Sequence, residues 1–338
     1  MKVIIKIQMK RMIYLLIGCL FLFCCRQKIV TDNPMMKNVE IVKYKSTPVF
    51  NQDSAYVFVE RQVQFGPRVP NTEAHKACSQ FLVSELERFV DKIYVQNAVL
   101  IAYNGVHLQA TNIIGVFNPE QAKRVMIFAH WDTRPYAEHD EDPSKHNIPI
   151  DGADDGASGV GVLLEMARIF RMNDPEIGID IIFFDAEDYG PPSTLGSVPP
   201  GDWFALGSQF WAKNPHISNY KAEYGILLDM VGSKNATFYK EAISIHYAEP
   251  FVENVWNTSR NLGYGKFFIN EKGIAVTDDH EYIIKGRGIP CIDIINTSSL
   301  TNHHFASHWH TQQDKMDVID PETLKAVGQT LLEVIYKN

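Results

Sequence analysis

Cysteine is scarce in this chain. Of its five cysteines, Cys19, Cys24 and Cys25 fall in the first 25 residues, and only Cys78 and Cys291 remain for the body. Two cysteines so far apart do not make a disulfide scaffold, and they read as buried thiols. Positive charge is scarce too. Lys and Arg number 32 against 40 Asp and Glu, a formal charge of -8, and no basic cluster occurs beyond the N-terminus, so nucleic acid is not an expected partner. No repeat of about 20–50 residues and no long low-complexity tract interrupts the chain. The nucleophile-elbow pattern Gly-x-Ser-x-Gly is missing, which removes the main signature of a Ser-His-Asp hydrolase.

What is present begins with a separate N-terminal segment. Lys2, Lys6, Lys10 and Arg11 precede an apolar run from Met12 to Cys25. A basic stretch followed by about 14 apolar residues is a secretory signal and is short for a membrane span. Leu22-Phe23-Cys24-Cys25 has the form of a lipoprotein cleavage box with Cys25 as the lipidated residue; Leu16-Ile17-Gly18-Cys19 is the competing box. The expected organisation is a signal segment over 1–25, a tether over 26–50 and one catalytic domain over 51–338. Export to the periplasm or cell envelope with a lipid anchor to the membrane follows. With 45% hydrophobic residues, the remaining body is long enough to bury a large core.

The chemistry lies where apolar runs stop. Ile181-Ile182-Phe183-Phe184 ends in Asp185-Ala186-Glu187-Asp188. Such a run reads as a buried strand of an α/β sheet, and these sheets hold their sites at strand carboxyl ends. Three acids there repel one another unless a proton or cation neutralises them. The same design recurs. A strand over 124–129 runs into His130, with Asp132 two residues on and placed to orient the imidazole. Tyr224–Leu228 ends in Asp229. Asp154-Asp155 stands at the entrance of an amphipathic helix, where capping explains one aspartate but not two. Asp278-Asp279-His280 and His303-His304-Phe305-Ala306-Ser307-His308-Trp309-His310 add further clusters. Asp293 lies within a late strand, and Trp203 follows a Pro/Gly/Ser-rich loop. The polar stretch 136–150 reads as a solvated loop. Helices are expected over 53–64, 71–89, 203–213, 249–262 and 321–336, and strands over 93–100, 109–117, 266–270 and 289–295. Nitrogen and oxygen donors from separate elements, without sulfur, are the ligand set of a catalytic rather than a structural zinc.

In this order, His130-Trp131-Asp132, Gly152-Ala153-Asp154-Asp155, Asp185-Ala186-Glu187-Asp188, Leu228-Asp229-Met230, Asp278-Asp279-His280 and Trp309-His310-Thr311 resemble the zinc aminopeptidase and glutaminyl cyclase superfamily over roughly residues 50–338. The resemblance implies a three-layer α/β/α fold with a central mixed, mostly parallel sheet. The chain looks closer to the glutaminyl-peptide cyclotransferases, which act on peptide or protein N-termini. On that likeness Asp155, Asp188 and His310 hold one zinc, Glu187 is the catalytic acid/base, and Asp229 and Asp278 are its acidic partners. Trp309 and Trp203 would wall the pocket. Animal cyclases carry Glu-Glu where this chain has Glu187-Asp188. A di-zinc aminopeptidase is the alternative; it would add His130 and Asp229 as ligands, with Asp155 bridging. His130, Asp132 and Asp293 are candidates for a second metal or for support of the first.

Overall fold

The structure, a computed structural model, describes residues 46–337. The signal segment, its cysteines and the tether as far as residue 45 lie outside the described residues. The first helix, α1 (Gln52–Val63), starts where the Asn51 side chain accepts from the amides of Asp53 and Ser54. Helix α2 (Glu73–Glu87) starts at Thr72, whose hydroxyl accepts from His75 N. Both caps satisfy amides that have no partner within the helix.

Six strands form the main sheet: β1 (Lys92–Ile101), β2 (His107–Phe117), β3 (Arg124–His130), β4 (Gly178–Phe184), β5 (Tyr224–Asp229) and β8 (Cys291–Ile295), in the order β1-β2-β4-β3-β5-β8. The β4/β3, β3/β5 and β5/β8 pairs are parallel, whereas β1/β2 and β2/β4 are antiparallel. The antiparallel hairpin sits at one edge, and β1 accordingly alternates exposed with half-buried positions. Strands β3 and β4 are buried at every residue. That is why they read as continuous apolar runs: they are covered on both faces.

The two faces separate by residue parity. Val125, Ile127 and Ala129 of β3 pack with α1, α2, α3 (Ala157–Met172), α5 (Ala242–Asn261) and α7 (Pro321–Tyr336). Met126 and Phe128 pack instead with Trp211 of α4 (Leu206–Lys213) and with Ile283 and Ile284 of α6 (Asp279–Arg287). The result is the three-layer α/β/α arrangement with a mixed, mostly parallel sheet. Strands β6 (Phe238–Lys240) and β7 (Phe268–Lys272) form a separate parallel pair beside it.

Several boundaries differ from the sequence expectations for physical reasons. Helix α4 begins at Leu206 rather than Trp203, because Ala205 takes a left-handed conformation (φ 53°) that stops the helix there. Helix α5 starts seven residues before 249: it runs across a kink at Ala248 (φ -141°), two residues before Pro250, and periodicity detects only the part beyond the kink. The stretch 136–150 is not merely a solvated loop. Ala137, Glu138, Asp140 and Ile150 are buried, and residues 143–145 form a short 3-10 turn.

Candidate active site

The parallel strands deliver their chemistry at one end. His130 closes β3, Asp185, Glu187 and Asp188 follow β4, and Asp229 closes β5; Asp155 precedes α3, and Asp278 caps α6. Asp155, Glu187, Asp188, Asp229, Asp278 and His310 line one cavity of about 320 Å³, whose apolar walls include Phe204, Ile274, Val276, Phe305 and Trp309. Three residues without the glycine exemption hold left-handed backbone beside this cavity: Ala186 (φ 54°), Met230 (φ 49°) and His310 (φ 52°). Each costs conformational energy, and each is where the chain turns to aim a site acid or histidine. Gly156 (φ 101°) behaves likewise; a Cβ there would lie 2.4 Å from Asp132 O.

Two donor groups overlap in the cavity. In Asp155, Asp188 and His310, one ligand-type atom from each lies within 4.8 Å of the others, and the same holds for His130, Asp155 and Asp229. Asp155 belongs to both. His310 Nε2 stands 3.4 Å from Asp188 Oδ1 and 3.7 Å from Asp155 Oδ2. The buried Asp188 Oδ2 has no hydrogen-bond partner. A buried carboxylate oxygen left without a partner, beside a second carboxylate and an imidazole, fits a divalent cation of the zinc type. His130 Nε2 is 3.2 Å from Asp155 Oδ1 and 3.1 Å from Asp229 Oδ1.

Support for these groups comes from residues that hold them in place. Asp132 accepts from the amides of Glu187 (3.0 Å) and Asp188 (3.2 Å) and lies 3.6 Å from His130 Nδ1. It thereby pins the turn after β4 and stands beside the His130 imidazole, whose Nδ1 has no hydrogen-bond partner. Arg68, fully buried, donates to the carbonyls of Trp131, Asp151 and Gly152 and ties the end of β3 to the turn that presents Asp155. Arg134 donates to Glu138 and to Asp188 O. Glu138 in turn faces His310 Nδ1 at 3.4 Å, as carboxylates do behind metal-binding histidines. Asp154, the second aspartate at the helix entrance, accepts from Gly232 N and pairs with His308.

Electrostatics set Glu187 apart. Burial pushes its carboxyl well above the usual range; His130 opposes this, and Asp278 and Asp188 add to it. Asp278 is raised by burial and by Asp229 and Asp279. Asp188 is pushed up to about 6, by burial and then by Asp155. Glu187 is absent from the groups able to hold a metal, yet it lines the same cavity. It is placed to hold or move a proton.

The structure brings together Asp155, Glu187, Asp188, Asp229, Asp278, His310, Trp309 and His130. Trp309 stacks on His310 at 3.7 Å. Trp203 stands apart: it donates from Nε1 to Pro199 O, and its neighbour Phe204 lines the cavity instead. Asp293 is also apart from the metal-capable groups. Its carboxylate is fully buried, without a hydrogen-bond partner, and 3.8 Å from His280 Nδ1. His280 Nε2 faces Glu241 at 3.3 Å, forming a buried acid–histidine array behind Asp278. Arg68, Glu138 and Glu241 escaped the sequence reading, because each lies in a loop or cap whose local pattern suggests only a turn.

The model of Peptidase family M28 matches residues 112–335. The chain belongs to peptidase family M28. Among solved structures, a Zn-dependent exopeptidase from Parabacteroides distasonis is 63% identical, covering 87% of this chain and 100% of its own, with a TM-score of 0.85. A glutaminyl cyclase from Tannerella forsythia is 61% identical over 86% of this chain and 100% of its own, with a TM-score of 0.84. The aminopeptidase YwaD of Bacillus subtilis is 24% identical over 89% of this chain, which spans 58% of that protein's length. The M28 family therefore accounts for the zinc-exopeptidase-like sheet and for the acids at its carboxyl edge.

Proposed function

We propose that the chain is a zinc-dependent glutaminyl-peptide cyclotransferase, converting an N-terminal glutamine of a peptide or protein to pyroglutamate with release of ammonia. The observation that carries this reading is the half-buried Glu187, outside the metal-capable groups, in an aromatic-walled cavity beside the Asp155-Asp188-His310 group, in a chain 61% identical to a glutaminyl cyclase. Asp155, Asp188 and His310 would hold the zinc. Bound there, zinc supplies Lewis-acid polarisation of the substrate's γ-carbonyl. Glu187 accepts the proton that the α-amine loses as its nitrogen bonds to the carbonyl carbon of the side-chain amide. The same proton then goes to the departing amide nitrogen as the C–N bond breaks, so ammonia leaves and Glu187 is restored. Asp229 and Asp278 hold the amine end through hydrogen bonds. Trp309, Phe305 and Phe204 keep water out, which matters because nucleophile and electrophile already share one residue and water would only compete.

A single zinc fits His130 being engaged by Asp155 and Asp229 at 3.2 and 3.1 Å. A second reading, a di-zinc aminopeptidase, draws on Asp155 being shared by both groups. The deciding experiment pairs zinc stoichiometry with ammonia release from a glutaminyl dipeptide amide. One zinc and ammonia support the cyclase; two zincs with a free amino acid and no ammonia overturn it. The export and lipid-anchor reading joins the proposal. Membrane fractionation of the Cys25→Ala and Cys19→Ala chains tests it, and one of them should leave the membrane fraction.

A further inference from the structure

Helix α3 begins at Gly156, an N-cap that offers no side chain. Capping is therefore not what Asp154 and Asp155 are for, and the amides of both are held from far along the chain. Asp314 is fully buried. One of its carboxylate oxygens accepts from Asp154 N at 2.7 Å and the other from Asp155 N at 3.0 Å, across 159 residues of chain in the second case. Its backbone oxygen accepts from Ala153 N as well. A single residue, four places after His310, thus holds the three consecutive amides that lead into Asp155.

The grip is repeated on the other side of His310. His308 Nε2 lies 2.9 Å from Asp154 Oδ2, and the second Asp154 oxygen accepts from Gly232 N, just past the end of β5. Between the two grips the histidine loop is bonded to itself: Thr311 Oγ1 donates to His308 O, and Asp314 N donates to Thr311 O. His310, on left-handed backbone, is carried in the middle of this braced loop. Asp188, the third member of the metal-capable group, has a cradle of the same form. There Asp132 spans the amides of Glu187 and Asp188. The two cradles differ in what else they hold, since the Asp132 pair includes the proton-moving Glu187 and the Asp314 pair does not. Neither Asp314 nor His308 lines the active-site cavity.

Donors from separate segments bind an ion tightly only if they already converge, because the cost of ordering them is otherwise subtracted from affinity. We propose that Asp314, together with His308, is a positioning residue for the zinc, locking the segments that carry Asp155 and His310 to each other before the ion arrives. The inference rests on Asp155, Asp188 and His310 being the zinc ligands, as proposed above, and holds whichever reaction follows.

The test measures zinc affinity by chelator competition, kcat at saturating zinc, and melting of the zinc-free protein, in wild type, Asp314→Asn, His308→Leu and His308→Gln. Asparagine keeps the volume of Asp314 but turns a donor towards one of the two amides. Zinc binding should weaken about 10–100-fold in Asp314→Asn, and excess zinc should restore kcat to within about threefold of wild type. In Asp132→Asn, by contrast, part of the kcat deficit should survive saturating zinc, because Glu187 is also released. His308→Leu should weaken zinc binding in the same direction, whereas His308→Gln, whose amide nitrogen can still donate to Asp154, should recover most of it. These two variants decide the matter if Asp314→Asn does not fold. Unchanged zinc affinity with a lowered zinc-free melting point would make the brace a matter of folding alone and overturn the proposal. A kcat deficit in Asp314→Asn that excess zinc leaves unrepaired overturns it too. Zinc retained at full affinity in His310→Ala overturns the ligand assignment itself, an outcome separate from the other two.

Discussion

The two ends of the same strands solve the problem of buried charge in opposite ways. At the amino end of β3 and β4, Arg124 and Asp180 form a bidentate pair at 2.8 and 2.9 Å, and Tyr220 donates to the same carboxylate at 2.6 Å. The remaining guanidinium hydrogens go to the carbonyls of Phe117, Asn118 and Gln121. Every group has a partner. At the carboxyl end of the sheet, Asp188 and Asp278 keep buried oxygens without partners. The first end is closed and serves folding. The second is held open, and the acids crowded there have their pKa values raised by burial and by one another. A chain that can satisfy a buried ion pair fully leaves one unsatisfied where a cation and a substrate are to supply the missing partners.

The sharpest way to break this contrast is at the open end. His310→Ala should remove zinc and lower ammonia release by about three orders of magnitude, since a Lewis acid supplies several kcal/mol of transition-state stabilisation. Glu187→Gln should lose a comparable factor, about 10²–10⁴, with zinc retained; metal analysis of the purified variant separates the two roles, and zinc loss from Glu187→Gln would place that residue among the ligands. At the closed end the signature inverts. Asp180→Ala should cost about 3–5 kcal/mol of stability by leaving Arg124 buried and unpaired, read by urea denaturation, while activity per folded molecule stays near wild type. A large activity loss there would erase the distinction between the two ends.

Smaller effects sharpen the picture. Asp132→Asn should weaken zinc affinity or turnover about 10–100-fold, as expected for a group that holds the amides of the turn carrying Glu187 and Asp188. Thermal melting against pH tests the acid cluster itself. Asp188 is raised to about 6 and Asp279 to about 7, each chiefly by burial. Between the unfolded value near 4 and these folded values, the native chain binds more protons than the unfolded one, so stability falls as pH rises. The zinc-free protein should therefore melt several degrees lower at pH 7.5 than at pH 5.5, and zinc should shrink that difference. Melting that rises over the same interval would mean the cluster is neutralised within the protein.

Much of this was legible along the chain. Central strands buried on both faces must be continuously apolar, so 124–129 and 181–184 announced themselves, and the acids that end them stood out because nothing local explains them. Helix α2 was expected over 71–89 and runs from Glu73 to Glu87. Helix α5 was half hidden, since Pro250 and the kink at Ala248 break the period. The placements of Trp203 and Phe204 were beyond reach, because a loop without period carries no information about which of two adjacent aromatic residues turns inward. Stretch 136–150 read as solvated because it holds His139, Asp140, Glu141, Asp142 and His146; that Glu138 turns inward to face His310 depends on a residue far along the chain.

The sequence alone determined the α/β class, the scarcity of sulfur ligands and the residue types at the site, because periodicity and strand-end chemistry are local. Only the tertiary structure decided which acids gather with a histidine in a group able to hold a metal and which stands outside it. Asp155 and Asp188 lie 33 residues apart (188 − 155) and His310 a further 122 along the chain (310 − 188), yet Glu187 differs from Asp188 by one residue. Their separate roles follow from the left-handed turn at Ala186 and from Asp132 holding both amides. Distance and burial set charge interactions, and neither is a property of a residue's place in the chain.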